Sequence, residues 1–123
     1  MNFGNVAVNA STGTVILTPA GARSATGGVT FIPASPGTVT AASFTVTGLA
    51  GLTYSITIPT TLTITDGTNN MTVNNFTSSP TPTGTLTGGS ETLTVGATLQ
   101  VGANQVAGVY TTTTPFDVTV NYN

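Results

Sequence analysis

Across residues 92–101 almost every second side chain is apolar. Leu93, Val95, Ala97, Leu99 and Val101 alternate with Thr94, Gly96, Thr98 and Gln100. A period of two is the spacing of a strand with one face buried and the other in water. The same alternation recurs along the chain. Phe44 and Val46 are flanked by Ser43, Thr45 and Thr47, and Leu52, Tyr54, Ile56 and Ile58 by Thr53, Ser55 and Thr57. Leu62 and Ile64 alternate with threonines, and Phe116, Val118, Val120 and Tyr122 alternate with Asp117, Thr119 and Asn121. Gly13-Thr14-Val15-Ile16-Leu17 is a shorter run that ends at Pro19. Met71 and Val73 alternate with Thr72 and Asn74, and the extra Asn75 before Phe76 predicts a bulge or register change. One apolar face per strand means antiparallel sheets over a shared core.

Turn formers divide the runs. Asp66-Gly67 between two alternating segments predicts a hairpin, and residues 80–84, with Pro80 and Pro82, read as an extended exposed loop. With 15 Gly and 7 Pro the breakers come too often for long helices, and no helix-period stretch of useful length occurs. About seven to nine short strands at this spacing point to an all-β sandwich, with a barrel as the alternative. Residues 1–123 are one domain's worth of chain, with no linker or internal repeat.

Charge is nearly absent. Arg23, Asp66, Glu91 and Asp117 are the whole inventory, 3% of the residues, and there is no Lys, His, Cys or Trp. Disorder requires low hydrophobicity with high net charge, and at −2 and 38% hydrophobic the chain has neither. One Arg cannot supply the basic footprint that nucleic acid or an anionic membrane requires. No apolar stretch is long enough to span a membrane, and the start of the chain lacks the basic and apolar parts of an export signal. Zero Cys rules out disulfide staples, and zero Lys rules out Lys–Asn crosslinks.

Catalysis needs a positioned nucleophile or a group that titrates near neutrality. Three carboxylates and one Arg are all this chain offers, so no catalytic residues are assigned and a non-enzyme is expected. Asp66 falls in a turn, Glu91 at a strand start and Asp117 on the polar side of the last strand; all three read as solvated acids. Asp66-Gly67-Thr68-Asn69-Asn70 supplies oxygens but not the calcium-loop spacing, so a metal-free turn is expected. No cofactor is implied. Arg23 reads equally as a ligand or subunit contact and as a loop arginine bonded to local carbonyls. Tyr54, Tyr110 and Tyr122 fall in apolar runs and read as packing residues before sugar platforms.

The most informative feature is what the edges lack. The outermost strand of a sheet presents unpaired N–H and C=O groups, which monomers blunt with lysine, inward charge or proline. Almost no charge is available here for that purpose. Occupation of the edges by neighbouring copies resolves the difficulty, and the expectation is a filament subunit joined by strand addition.

Several segments also carry a resemblance. They are Asn2-Phe3-Gly4, Gly13-Thr14-Val15 with Pro19-Ala20-Gly21-Ala22-Arg23, Ala42-Ser43-Phe44-Thr45-Val46-Thr47-Gly48, Thr53-Tyr54-Ser55-Ile56, Leu93-Thr94-Val95-Gly96-Ala97-Thr98-Leu99, and the ending Gly108-Val109-Tyr110 with Phe116-Asp117-Val118-Thr119-Val120-Asn121-Tyr122-Asn123. Together they resemble a bacterial secreted family, domain-of-unknown-function family 4402, over nearly the whole chain. Its layout is similar to chaperone–usher pilins and spore-coat U proteins, immunoglobulin-like sandwiches completed by a strand from the next subunit. The resemblance implies an immunoglobulin-like antiparallel sandwich, export to the bacterial cell surface, and a structural role. It also implies partners: copies of itself, with a periplasmic chaperone and an outer-membrane usher. Family members carry a further strand before the Asn-Phe-Gly motif, whereas this sequence starts at Met1. Either Met1 is internal to a longer precursor, or an apolar groove stays open until a donor strand fills it.

Residues expected at subunit contacts are therefore Phe3, Val6 and Val8 in the first strand and Phe116, Val118, Val120 and Tyr122 in the last, each otherwise a core residue. The rival expectations are a monomeric carbohydrate-binding or adhesin module, marked by exposed tyrosines on one platform, and a phage or surface-layer decoration protein.

Overall fold

The computed structural model describes residues 2–31, 39–81, 83–105 and 117–123. Among these the strands run in order β1 Asn2–Phe3, β2 Val6–Ala7, β3 Gly13–Leu17, β4 Arg23–Gly27, β5 Thr30–Phe31, β6 Val39–Thr40, β7 Ala42–Thr47 and β8 Thr53–Thr57. They continue with β9 Thr61–Thr65, β10 Asn70–Ser79, β11 Thr83–Thr85, β12 Ser90–Val101 and β13 Thr119–Tyr122. One 3₁₀ turn, Thr87–Gly89, precedes β12. Among the described residues all the pairings are antiparallel and no sheet closes on itself, so the fold is an all-β sandwich and not a closed barrel.

β12 organises the larger sheet, whose order is β4-β3-β12-β10-β9. One flank of β12 pairs with β10 along most of its length. The other flank serves two strands in turn: β7 pairs residues Ser90 to Val95, and β3 pairs Ala97 to Val101. Gly96 sits at the changeover. A Cβ there would collide with the carbonyl of Leu17, so only glycine lets β3 end so close to β12. The smaller sheet is β11-β8-β13, and two-residue ladders join β1 to β6 and β2 to β5.

The inward residues form two clusters. One gathers Val15, Val73, Phe76, Val95, Ala97, Leu99 and Val101 on the larger sheet. The other joins Val46 and Leu93 of that sheet to Tyr54 and Leu86 on the opposite side. Phe44 and Val118 touch both.

The anticipated irregularity at Asn75 is present: its φ is 49°, and the β10–β12 register shifts between Asn74 and Thr77. The hairpin at Asp66-Gly67 also forms, closing β9 onto β10 with Thr65 opposite Asn70. Two expectations are corrected. Residues 80–84 are not wholly an exposed loop, because β11 begins at Thr83 and Gly84 is buried against Tyr54. Arg23 lies not in a loop but at the start of β4, opposite Leu17.

Candidate functional site

Among the described residues the sandwich is open where β7 of the larger sheet faces β13 of the smaller one. Between them runs a groove of about 280 Å³, lined by Phe44, Val46, Leu93, Val118, Val120 and the ring of Tyr122. Among the described residues β7 pairs only with β12, and β13 only with β8. Among these residues each therefore has one edge without a ladder.

Which backbone groups point from these edges follows from alternation. In an antiparallel pair, residues that exchange hydrogen bonds alternate with residues whose N–H and C=O point away. Gly48 N–H donates to the Gly89 carbonyl, which makes that pair hydrogen-bonded. Counting along the register, Val46, Phe44 and Ala42 bond to β12, while Thr47, Thr45 and Ser43 point outward. Asn123 N–H donates to the Thr53 carbonyl, so by the same count Asn121 and Thr119 bond to β8 and Tyr122 and Val120 point outward. The Tyr122 hydroxyl donates to the outward Thr47 carbonyl and bridges the two edges at one end of the groove.

Of the expected contact residues, the last strand supplies the groove. Val118 and Val120 are half-buried on its wall, and Tyr122, 54% exposed, closes its end. Phe116 lies outside the described residues, as does Tyr110. The first-strand residues are elsewhere: Phe3 and Val6 pack on the rim of the larger cluster, and Val8 is exposed. Phe44, Val46 and Leu93 line the groove but read in the sequence as ordinary core. Their alternation marks them as inward-facing, and nothing local marks the strand beside them as an edge.

The family model described as Domain of unknown function (DUF4402) matches residues 1–122. The chain belongs to this family. No curated protein and no solved structure matches it.

Elsewhere in this DUF4402 domain the few ionisable groups are engaged locally. Arg23 Nη1 donates to the carbonyls of Phe3 (2.8 Å) and Asn5 (3.1 Å), and its guanidinium lies 3.9 Å from the centroid of the Phe31 ring. It holds the N-terminal segment against β4 and β5. Asp66 accepts from the backbone of Asn69 and Thr68 and from the Asn69 amide, and these bonds hold its carboxyl below the ordinary 3.8. Asp117 is exposed.

Glu91 is not the solvated acid that its position suggested. It is half-buried and accepts a hydrogen bond from the hydroxyl of fully buried Tyr54, linking the two sheets beneath the groove. Burial first, then the hydrogen bond to Glu91 and its negative charge, pushes the Tyr54 hydroxyl up to about 12. Gly84 leaves room for this pair, since a Cβ there would overlap the tyrosine ring and hydroxyl. Among the described residues, no three His, Cys, Asp or Glu side chains gather as a metal site, and no helix is long and apolar enough to cross a membrane.

Proposed function

We propose that this DUF4402 domain is a structural subunit of an extracellular, pilus-like filament whose copies join by strand addition. The observation that carries this reading is the groove between β7 and β13. Two strand edges face one another across apolar side chains, and neither edge strand bears a charge or a proline. Sheet edges so unprotected accept further strands readily, with backbone bonds giving affinity and the apolar lining choosing alternate side chains. A chain with four charged side chains also lacks the repulsion that keeps monomers apart. The role is mechanical and adhesive, with no catalytic group or cofactor. It places the protein on the bacterial surface, with a periplasmic chaperone and an outer-membrane usher as assembly partners.

The alternation of the β7 edge supplies the test. Thr45→Pro removes an N–H that points into the groove and spares the ladder to β12, which is where an edge strand tolerates proline. The variant is expected to fold, by circular dichroism, and to remain monomeric in sedimentation while the unmodified protein polymerises. Val46→Pro, one residue on, removes a ladder bond and is expected to unfold the chain. A wild-type protein that stays monomeric at high concentration, or a Thr45→Pro variant that polymerises equally well, overturns the reading.

A further inference from the structure

A second concavity lies on the outward face of the larger sheet, beside the half of β12 that β7 does not reach. Its floor is one register row across four strands: Thr26, Thr14, Gln100 and Thr72 stand directly opposite one another in turn. Directly opposed residues share a face. The neighbouring row, with Val15, Leu99 and Val73, is core, so this one points outward. The trough measures about 610 Å³, within the usual range of roughly 300–1,000 Å³ for small-molecule sites.

Several polar groups of the trough are held by hydrogen bonds. The Thr14 and Thr26 hydroxyls bond to each other, and Gln100 Nε2 donates to Asn74 Oδ1 at 3.0 Å. Gln105 forms a wall: its Oε1 accepts from Gly102 N–H at 3.2 Å and its Nε2 donates to the Asn70 carbonyl at 3.3 Å. The bond to Asn74 leaves Gln100 Oε1 with hydrogen-bonding capacity to spare, next to the exposed Thr72 hydroxyl.

No lining residue is ionisable. An ionic ligand would surrender hydration here and meet no opposite charge, and an apolar ligand would strip water from hydroxyls and amides and return nothing. A neutral ligand rich in hydroxyls exchanges its water bonds for equivalent ones. We propose that this trough is a binding site for neutral oligosaccharides. The site does not depend on assembly, because it lies away from the β7–β13 groove.

The experiment is an NMR titration of the Thr45→Pro monomer, or of the wild type should that prove monomeric, with maltohexaose, cellohexaose and mannohexaose. At least one is expected to shift the side-chain amide signals of Gln100 and Gln105 saturably. Thr72→Lys, which places a long cation on the floor, is expected to weaken that binding about tenfold or more. Thr63→Lys adds the same charge one strand further along the row, outside the trough, and is expected to leave binding unchanged. Three results would each overturn the assignment: no saturable shift with any of the three glycans, undiminished binding by Thr72→Lys, or equal binding of heparin.

Discussion

Two strands on the same flank of β12, β4 beyond β3 and β7 beside them, treat their exposed edges differently. The outer one, β4, carries Arg23 opposite buried Leu17, and that side chain turns inward to clasp the carbonyls of Phe3 and Asn5. An inward charge on an edge strand is a recognised guard against edge pairing. Nothing similar stands at the opening where β7 and β13 face one another, with outward backbone groups at Thr45 and Val120 and no charged residue in either strand. A chain with one basic side chain can guard one edge in this way and not two. With that side chain spent on β4, β7 and β13 are left without such a guard.

The largest effect should come from the core under the open side. Leu93 is fully buried at the base of the groove, and Leu93→Ala is expected to cost about 2–5 kcal/mol in urea unfolding. Val120→Ala removes a half-buried wall residue and is expected to cost the monomer about 1 kcal/mol or less. The same change should weaken assembly markedly. Equal losses of stability at the two positions would mean that the groove belongs to the closed core and is not a surface awaiting a partner.

Tyr54 tests whether the open side is braced from beneath. Tyr54→Phe leaves Glu91 half-buried without its donor and is expected to cost about 1–3 kcal/mol. The pH dependence follows from the raised value. Folded Tyr54 keeps its proton to about pH 12, whereas the unfolded tyrosine loses it near 10.0. The contribution of this group is therefore complete below pH 10 and is lost as pH rises through 12. Thermal unfolding of the wild type should fall across that window more steeply than that of Tyr54→Phe. Identical slopes would refute the bridge between the sheets.

How much of this could be read from the sequence varies by element. β12, the Asn75 irregularity and the β9–β10 hairpin rest on local signals, namely strict alternation, one surplus residue and an Asp-Gly turn, and those signals were legible. β4 was not, because Arg-Ser-Ala-Thr-Gly offers a single apolar residue; its pairing comes from β3 and not from its own pattern. β11 was hidden because Gly84 reads as a turn former, whereas it is needed to admit Tyr54 and Glu91. The side chains of the groove were visible as alternation, but their exposure was not. Whether a strand is an edge depends on which distant strands lie beside it.

The smallest expected effect is also the most direct challenge to the contrast between the two edges. Arg23→Met keeps an apolar stem over Phe31 and removes the bonds to Phe3 and Asn5, for an expected loss of about 1 kcal/mol. Beyond that loss, the substitution makes β4 as free of charge as β7 and β13. The variant should then associate through β4 as well, giving irregular lateral aggregates visible by light scattering and electron microscopy. Adding Thr45→Pro should abolish linear assembly through the groove and leave this lateral association intact, because the two edges act independently. An Arg23→Met protein that assembles just as the wild type does would show that the arginine only fastens the N-terminal segment, and the asymmetry between the edges would have to come from the groove alone.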